Sequence, residues 1–478
     1  MKTLNEKEKN LIINDNIEQM ETDEMDDKLF KEERKKYILR GLSSLASCII
    51  NTYGYFSIWV LGNSVVYLIS FRRHYNPKLT FSYGYFLFPI MNFSLELTSP
   101  IGGILEHKIG GKSTIILSTL ILCISLLLLY ISRNIFLDYI IMSIIGFGIA
   151  VGINIIRKNI CSYFMNRKAL ICGILYLVPG FLCSFLNMFN EKYILNPLSE
   201  NPTIENVYYN EKIFLNFQKL IIFEIGFLIV TTALTLVLYY PNDPKETIKF
   251  GFNDEAQDNK KKYDNKENNE NKTNGLQKSK IKKAIYSIRT LNLYIMIFLF
   301  YPTIDFMYNS WRPIGIYYKI DTYYLQLTTA LYNIISSISS IIFSLIGDKI
   351  QFRIIFVLFS FILAINAFLF PLSVYNPIFF ISEVMIMSFV LAGFYILLDP
   401  HIMKVYGMDN FIEIGGIIRS SGGFSEMFTI IFAFYLENYF SGNKNYVYKI
   451  MYYISGCFNI ISLVLGLFET DEKFNYND

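Results

Sequence analysis

Apolar stretches of about 20 residues, each long enough at 1.5 Å per residue to cross a hydrocarbon core of about 30 Å, recur twelve times along this chain. They fall at 41–70, 82–104, 113–132, 135–157, 168–188, 214–240, 290–312, 324–346, 353–373, 377–399, 412–435 and 446–468. With 53% hydrophobic and 17% aromatic residues, the chain carries more apolar surface than one soluble core can hide. The pattern predicts an all-α membrane protein of twelve transmembrane helices. Two segments are interrupted by charge: the fourth closes on Arg157 and Lys158, and the eleventh contains Arg419.

Net charge is +3, which offers no basic face for nucleic acid and no acidic field for a cationic partner. The six cysteines, Cys48, Cys123, Cys161, Cys172, Cys183 and Cys457, form no C-x-x-C pair or Cys/His cluster, so they read as small core residues without disulfide or metal. Residues 1–36 are mixed-charge and nearly free of apolar runs. They read as a charged cytoplasmic tail, with no cleaved signal peptide. A six-helix bundle over 37–240 follows, then an Asn/Lys-rich stretch at 241–289 too polar to fold alone, read as a disordered cytoplasmic linker. A second six-helix bundle covers 290–470, and 471–478 form a short tail.

Lysine and arginine in short loops set the orientation. With the N-terminus inside, the inner loops hold Lys108, Lys112, Arg157, Lys158, Arg167, Lys168, Lys349, Arg353 and Lys404. Arg72, Arg73 and Lys78 in the first outer loop oppose the rule. The majority places both termini in the cytoplasm.

The two halves repeat a loop. "GILEHKIGGK" (Gly103 to Lys112) and "SLIGDKIQFR" (Ser344 to Arg353) lie 241 positions apart, each joining the second and third segments of its half. A small residue comes first, His107 or Asp348 fifth, Lys108 or Lys349 sixth, and Lys112 or Arg353 tenth. The pair resembles the signature of the major facilitator superfamily, G-x-x-x-D-[RK]-x-G-x-[RK], in both its copies. His107 stands where aspartate is usual, with Glu106 before it, and Gln351 replaces the second copy's glycine. The resemblance implies two pseudo-symmetric halves working by alternating access. It also gives Gly103, His107, Lys108, Lys112, Asp348, Lys349 and Arg353 a gating role.

A narrower resemblance, to the oxalate/formate antiporter and monocarboxylate transporter branch, rests on two further loops. "YFMNRKALICGI" fits W/Y-F-x-x-R-[RK]-[GA]-L-x-x-G through Arg167, Lys168, Ala169, Leu170 and Gly173, which adds Arg167 and Lys168 to the gating set. "YGMDNFIEIGGIIRSSGG" fits the opening of the eleventh helix through Asn410, Phe411 and Gly416, departing at Glu413 and Gly415. The branch uses two basic residues for a dianion; the first of those positions falls in "SSISS", Ser336 to Ser340, without Arg or Lys. One cation balances one carboxylate. The substrate expectation is therefore a small organic anion, a monocarboxylate.

Arg419 is the leading candidate for that carboxylate, because guanidinium presents a planar fork to two oxygens. An internal ion pair, with Asp305 or Glu426 as partner, and a position nearer the surface are the competing readings. Glu96, Glu224, Asp305 and Glu383 are the further candidate acids within the segments. Asp305 and Glu96 are the proton-coupling candidates. Asn51, Tyr53, Tyr176, Asn333 and Tyr395 are further lining candidates. Glycines in "GFGIAVG" (Gly146 to Gly152) and around Arg419 allow close helix contact.

No Walker-type phosphate loop occurs, and no cofactor or catalytic residue is implied. A membrane-embedded lipid enzyme would need a placed histidine or serine; His74, His107 and His401 all fall at predicted helix ends or loops. The rival readings are an amino-acid or drug carrier of the same fold, or a nutrient sensor that does not transport. A monomeric multi-pass unit in the plasma membrane or an organelle membrane is expected, with no nucleic-acid partner.

Overall fold

The computed structural model describes residues 6–63, 65–79, 81–164, 167–195, 211–242, 246, 282–347, 349–407, 410–440 and 443–474. Every one of the twelve predicted segments falls on helix. The first is divided between α1 (Glu6–Asn63) and α2 (Val65–Tyr75). The N-terminal half continues with α3 (Leu87–Ile109), α4 (Gly111–Ile131), α5 (Ile135–Tyr163), α6 (Lys168–Phe189) and α7 (Glu211–Leu238). The C-terminal half comprises α8 (Ile288–Tyr317), α9 (Thr322–Gly347), α10 (Phe352–Ser373), α11 (Pro377–Tyr406), α12 (Phe411–Tyr439) and α13 (Lys444–Gly466). Among the described residues, eight of these helices are long and apolar enough to cross a membrane. The charged tail does not end where the apolar run begins: α1 runs unbroken from Glu6 into the bundle. Most of the expected 241–289 linker lies outside the described residues.

Helix starts reveal the repeat locally. Asn134 caps α5 by accepting from the Phe136 N–H at 3.0 Å, and Asn376 caps α11 by accepting from Ile378 N–H at 2.9 Å. A short side-chain acceptor satisfies donors that the first helical turn leaves free. Within the first half, α3 packs closely on α5. A Cβ on Gly146 would stand 2.0 Å from the Met91 carbonyl oxygen, so the glycine-rich run of α5 is what lets the two backbones meet.

The halves meet along two seams, α3 against α12 and α6 against α9. Small residues carry both. Gly416 of α12 sits against Pro100 of α3, where a Cβ would approach to 2.6 Å, and Gly173 of α6 sits against Ser344 of α9, where the approach would be 2.2 Å. The α3–α4 and α9–α10 turns share one end of the bundle, termed the motif end below. After α13 the chain folds back across that end: Phe474 N–H donates to the Val405 carbonyl at 2.8 Å, and Asp471 pairs with Lys404 at 2.9 Å.

Arg72 also changes place. Its place between two apolar segments predicts an outer loop, against the charge rule; it lies inside α2, 1% exposed. Its Nε and Nη2 grip Asp138 at 2.6 and 2.9 Å, and its remaining donors reach the Ser132 and Leu129 carbonyls. A charge paired in this way is a buried structural element and drops out of the orientation count.

Candidate functional site

Near the motif end, one carboxylate is shared by two guanidinium groups. Asp399 of α11 receives Arg157 Nη1 on Oδ2 at 2.5 Å and Arg419 Nη1 on Oδ1 at 2.6 Å. All three are buried, at 2%, 6% and 8% exposure respectively. Arg157 belongs to the first half and the other two to the second, so the Arg157–Asp399 bond crosses between them. Arg419 Nη2 also crosses, to Ser99 Oγ of α3 at 3.4 Å, and Ser99 is itself held by Asn154 Nδ2 at 2.7 Å. Glu96 Oε2 stands 3.9 Å from Arg419 Nε. The guanidinium faces rest on aromatic rings, Arg157 over Tyr176 and Arg419 over Phe411, each at 5.2 Å.

Two expectations are corrected here. Arg419 takes neither Asp305 nor Glu426 as its partner but Asp399, for the geometric reason that α11 and α12 adjoin at this level. Arg157 is no loop charge: α5 extends to Tyr163, one and a half turns past the predicted segment end, and holds Arg157 inside. Separating two charges from water costs several kcal/mol per ion, and good geometry is needed to offset it. The double use of Asp399 supplies that geometry.

The pair also sits on the repeat. Arg157 and Asp399 are 242 residues apart, the same offset that separates the capping residues Asn134 and Asn376. They occupy equivalent positions of equivalent helices. Opposite charges at equivalent places on two pseudo-symmetric halves meet close to the axis relating those halves.

Of the remaining candidates, Tyr176 and Tyr395 come together across the seam, with ring centroids 6.2 Å apart, and Tyr301 of α8 joins them at 6.1 Å from Tyr395. Glu96 lies within electrostatic reach of both Tyr301 and Tyr395. Tyr53 instead packs edge-on against Phe227 of α7 at 5.0 Å, and Asn51 is buried beside Tyr55, whose hydroxyl bonds Ser118 at 2.8 Å. Asn333 is half-buried on α9. Glu224 bonds Asn190 at 3.2 Å and Glu383 bonds Asn366 at 2.5 Å, each within its own half.

Asp305 and Glu426 form a second polar group, with no arginine in contact among the described residues. They face each other from α8 and α12 within electrostatic reach. Glu426 Oε1 accepts from Asn92 Nδ2 of α3 at 3.3 Å, which brings the opposite half to this group as well.

In the repeated loops, Gly103 abuts Ile412 of the other half, where a Cβ would stand 2.9 Å from the side chain. Lys108, Lys112, Lys349, Arg353 and Arg167 are exposed. Lys168 is half-buried. Glu106 pairs with Lys158 at 3.2 Å inside the first half. Asp348 and the His107 side chain lie outside the described residues.

Sequence reasoning missed Asp399. It ends the tenth segment before Pro400 and looks like a boundary charge. Laying the halves over one another at the repeat offset would have placed it opposite Arg157.

Residues 220–429 match the sequence profile of the Major Facilitator Superfamily. Solved structures extend the likeness across the chain. The proton:xylose symporter XylE bound to 6-bromo-6-deoxy-D-glucose superposes with a TM-score of 0.66 at 12% identity, covering 90% of this chain and 94% of its own. The human organic anion transporter MFSD10 (TETRAN) superposes at 0.63 with 10% identity, covering 89% and 99%. The fold is therefore that of the major facilitator superfamily. No curated protein matches in sequence.

Proposed function

We propose that this chain, which has the major facilitator fold, is a secondary transporter carrying a small organic anion, a monocarboxylate, by alternating access. The carrying observation is the Arg157–Asp399–Arg419 group, in which a single carboxylate bridges the halves near the motif end. Opening that end leaves Arg419 with Asp399, since both belong to the second half. Arg157 loses its carboxylate. A substrate carboxylate entering from that side meets a guanidinium whose fork matches its two oxygens, and its binding offsets the loss of Asp399. Asp305 and Glu96 are the proposed coupling residues, lying on the same path lined by Tyr176, Tyr301 and Tyr395.

The motif end is proposed to face the cytoplasm, with both termini. Single cysteines at exposed Lys108 and Lys78 test this with an impermeant maleimide on intact cells: Lys78 should label and Lys108 should not. Uptake of radiolabelled monocarboxylates, dicarboxylates, amino acids and sugars into proteoliposomes, with and without imposed ion gradients, tests the substrate. Saturable monocarboxylate uptake is expected. Accumulation of neutral solutes with no response to monocarboxylates would favour the amino-acid or drug carrier.

A further inference from the structure

The group around Asp305 has a charge problem that the arginine network does not solve. Arg157 and Arg419 are already matched by Asp399 and Glu96. Asp305 and Glu426 remain, 8% and 6% exposed, facing each other with no basic side chain in contact among the described residues. Two carboxylates at close range in a low dielectric repel strongly. Something positive must join them, or they lose charge.

The surrounding atoms say which. Asp305 Oδ2 is fully buried and Ser425 Oγ, on a residue 0% exposed, lies beside it, and neither atom makes a hydrogen bond of good geometry among the described residues. Two buried oxygens and a nearby carboxylate are a donor set that a hard cation can use. Asn92 and Asn309 turn amide donors toward Glu426, and Asn309 Nδ2 also donates to the Asp305 backbone carbonyl at 2.8 Å. These contacts fix the carboxylates without neutralising them. The donor set is oxygen only, which suits a hard cation, and it is too small for the six to eight oxygens calcium takes or the octahedron magnesium demands.

We infer that Asp305, Glu426 and Ser425 form a binding site for a hard monovalent inorganic cation, sodium being the probe that fits, at the α8–α12 contact where Asn92 of the first half reaches in. Its role as a coupling site rests on the transport reading; its binding of the ion does not. Asn92 of the first half already donates to Glu426 across the seam, so an ion held by these carboxylates sits where the two halves touch. An organic anion and its counter-cation then have separate places, the arginines for one and the acids for the other.

Binding of radioactive sodium to the purified full chain in detergent, at fixed pH and constant ionic strength with choline as replacement, tests the inference without any substrate. Saturable binding displaced by unlabelled sodium is expected, weakened at least tenfold by Asp305→Asn and by Glu426→Gln and less by Ser425→Ala, while Glu383→Gln leaves it unchanged. Sodium should also raise the melting temperature of the wild type and not of Asp305→Asn. Absence of saturable binding overturns the site, as does binding indifferent to all three substitutions. Melting that responds to pH but not to sodium overturns it too, since the pair would then hold only protons. Failure of every uptake assay, with sodium binding intact, would count against transport and not against the site.

Discussion

Two buried arginine–aspartate pairs sit at opposite ends of this bundle and differ in what they join. Arg72 and Asp138 lie within one half, join through two side-chain contacts, and fill the arginine's other donors with the Ser132 and Leu129 carbonyls. Nothing in that set spans a seam. Arg157 and Asp399 join through one contact across the halves, and the aspartate is divided with Arg419. Burial is nearly the same in both. What separates a staple from a latch is whether the partners belong to one rigid body and whether either has somewhere else to go.

The largest effect should follow from breaking the staple. Arg72→Ala leaves Asp138 charged and unpaired at 0% exposure, a loss of about 3–5 kcal/mol for an uncompensated buried ion. Little folded protein should survive detergent extraction, as judged by size-exclusion profile and thermal melting. Replacing both residues by apolar ones of similar volume should recover much of the loss.

Breaking the latch should damage function more than folding. Asp399→Asn leaves two guanidinium groups facing a neutral amide and disfavours the closed motif end by about 3–5 kcal/mol. Folded yield should fall less than for Arg72→Ala, because opening of the motif end returns Arg157 to water, while uptake falls at least tenfold. Adding Arg157→Gln should restore part of the uptake, because one stranded charge is gone. A pair of variants that behaved like Arg72→Ala would erase the distinction.

A smaller effect is expected at the seam itself. Gly173→Ala places a methyl 2.2 Å from the Ser344 side chain, an overpacking that costs about 1–3 kcal/mol. That cost applies only when the halves are close. Uptake should slow, with melting nearly unchanged.

The smallest effect concerns the returning C-terminal segment. Burial opposes ionisation of Asp471, but the His401 ring 3.5 Å away and the Lys404 ammonium bonded at 2.9 Å outweigh it and hold the carboxyl well below the usual carboxylate range. A depressed folded value adds stability above the unfolded value of about 3.9, lost as pH falls further toward the folded one. Lys404 is 58% exposed, so Asp471→Asn should cost less than about 1 kcal/mol near neutral pH. The difference from wild type should shrink only below about pH 4.

The architecture was legible because it is written in long apolar runs and a loop repeated at a fixed distance. Local periodicity fixes a helix without knowledge of its neighbours. Pairing is different. Arg419 announced itself as an anomaly, yet its partner depends on which helices adjoin, and Asp399 resembled a boundary residue. Arg72 opposed the charge rule only while it was counted as a loop residue. Tyr176 and Tyr395 are polar aromatics in the right segments and do meet between the halves; Tyr53 and Asn51 are polar residues in an equally suitable segment and pack within their own half. Residue type alone does not reveal which face of a helix turns inward. The equivalence of positions 157 and 399 was available from the offset between the halves, a comparison that needs alignment of the whole repeat and not of one loop.

Closure of the motif end should depend on Asp399. Nitroxide labels on exposed Ile109 of α3 and Ile354 of α10, read by double electron–electron resonance, report the separation of the halves at that end directly. A single short distance is expected in the wild type, with Asp399→Asn adding a longer component whose population rises at least tenfold, about 1.4 kcal/mol, and Arg72-intact melting behaviour retained. Identical distance distributions in the two proteins would contradict it.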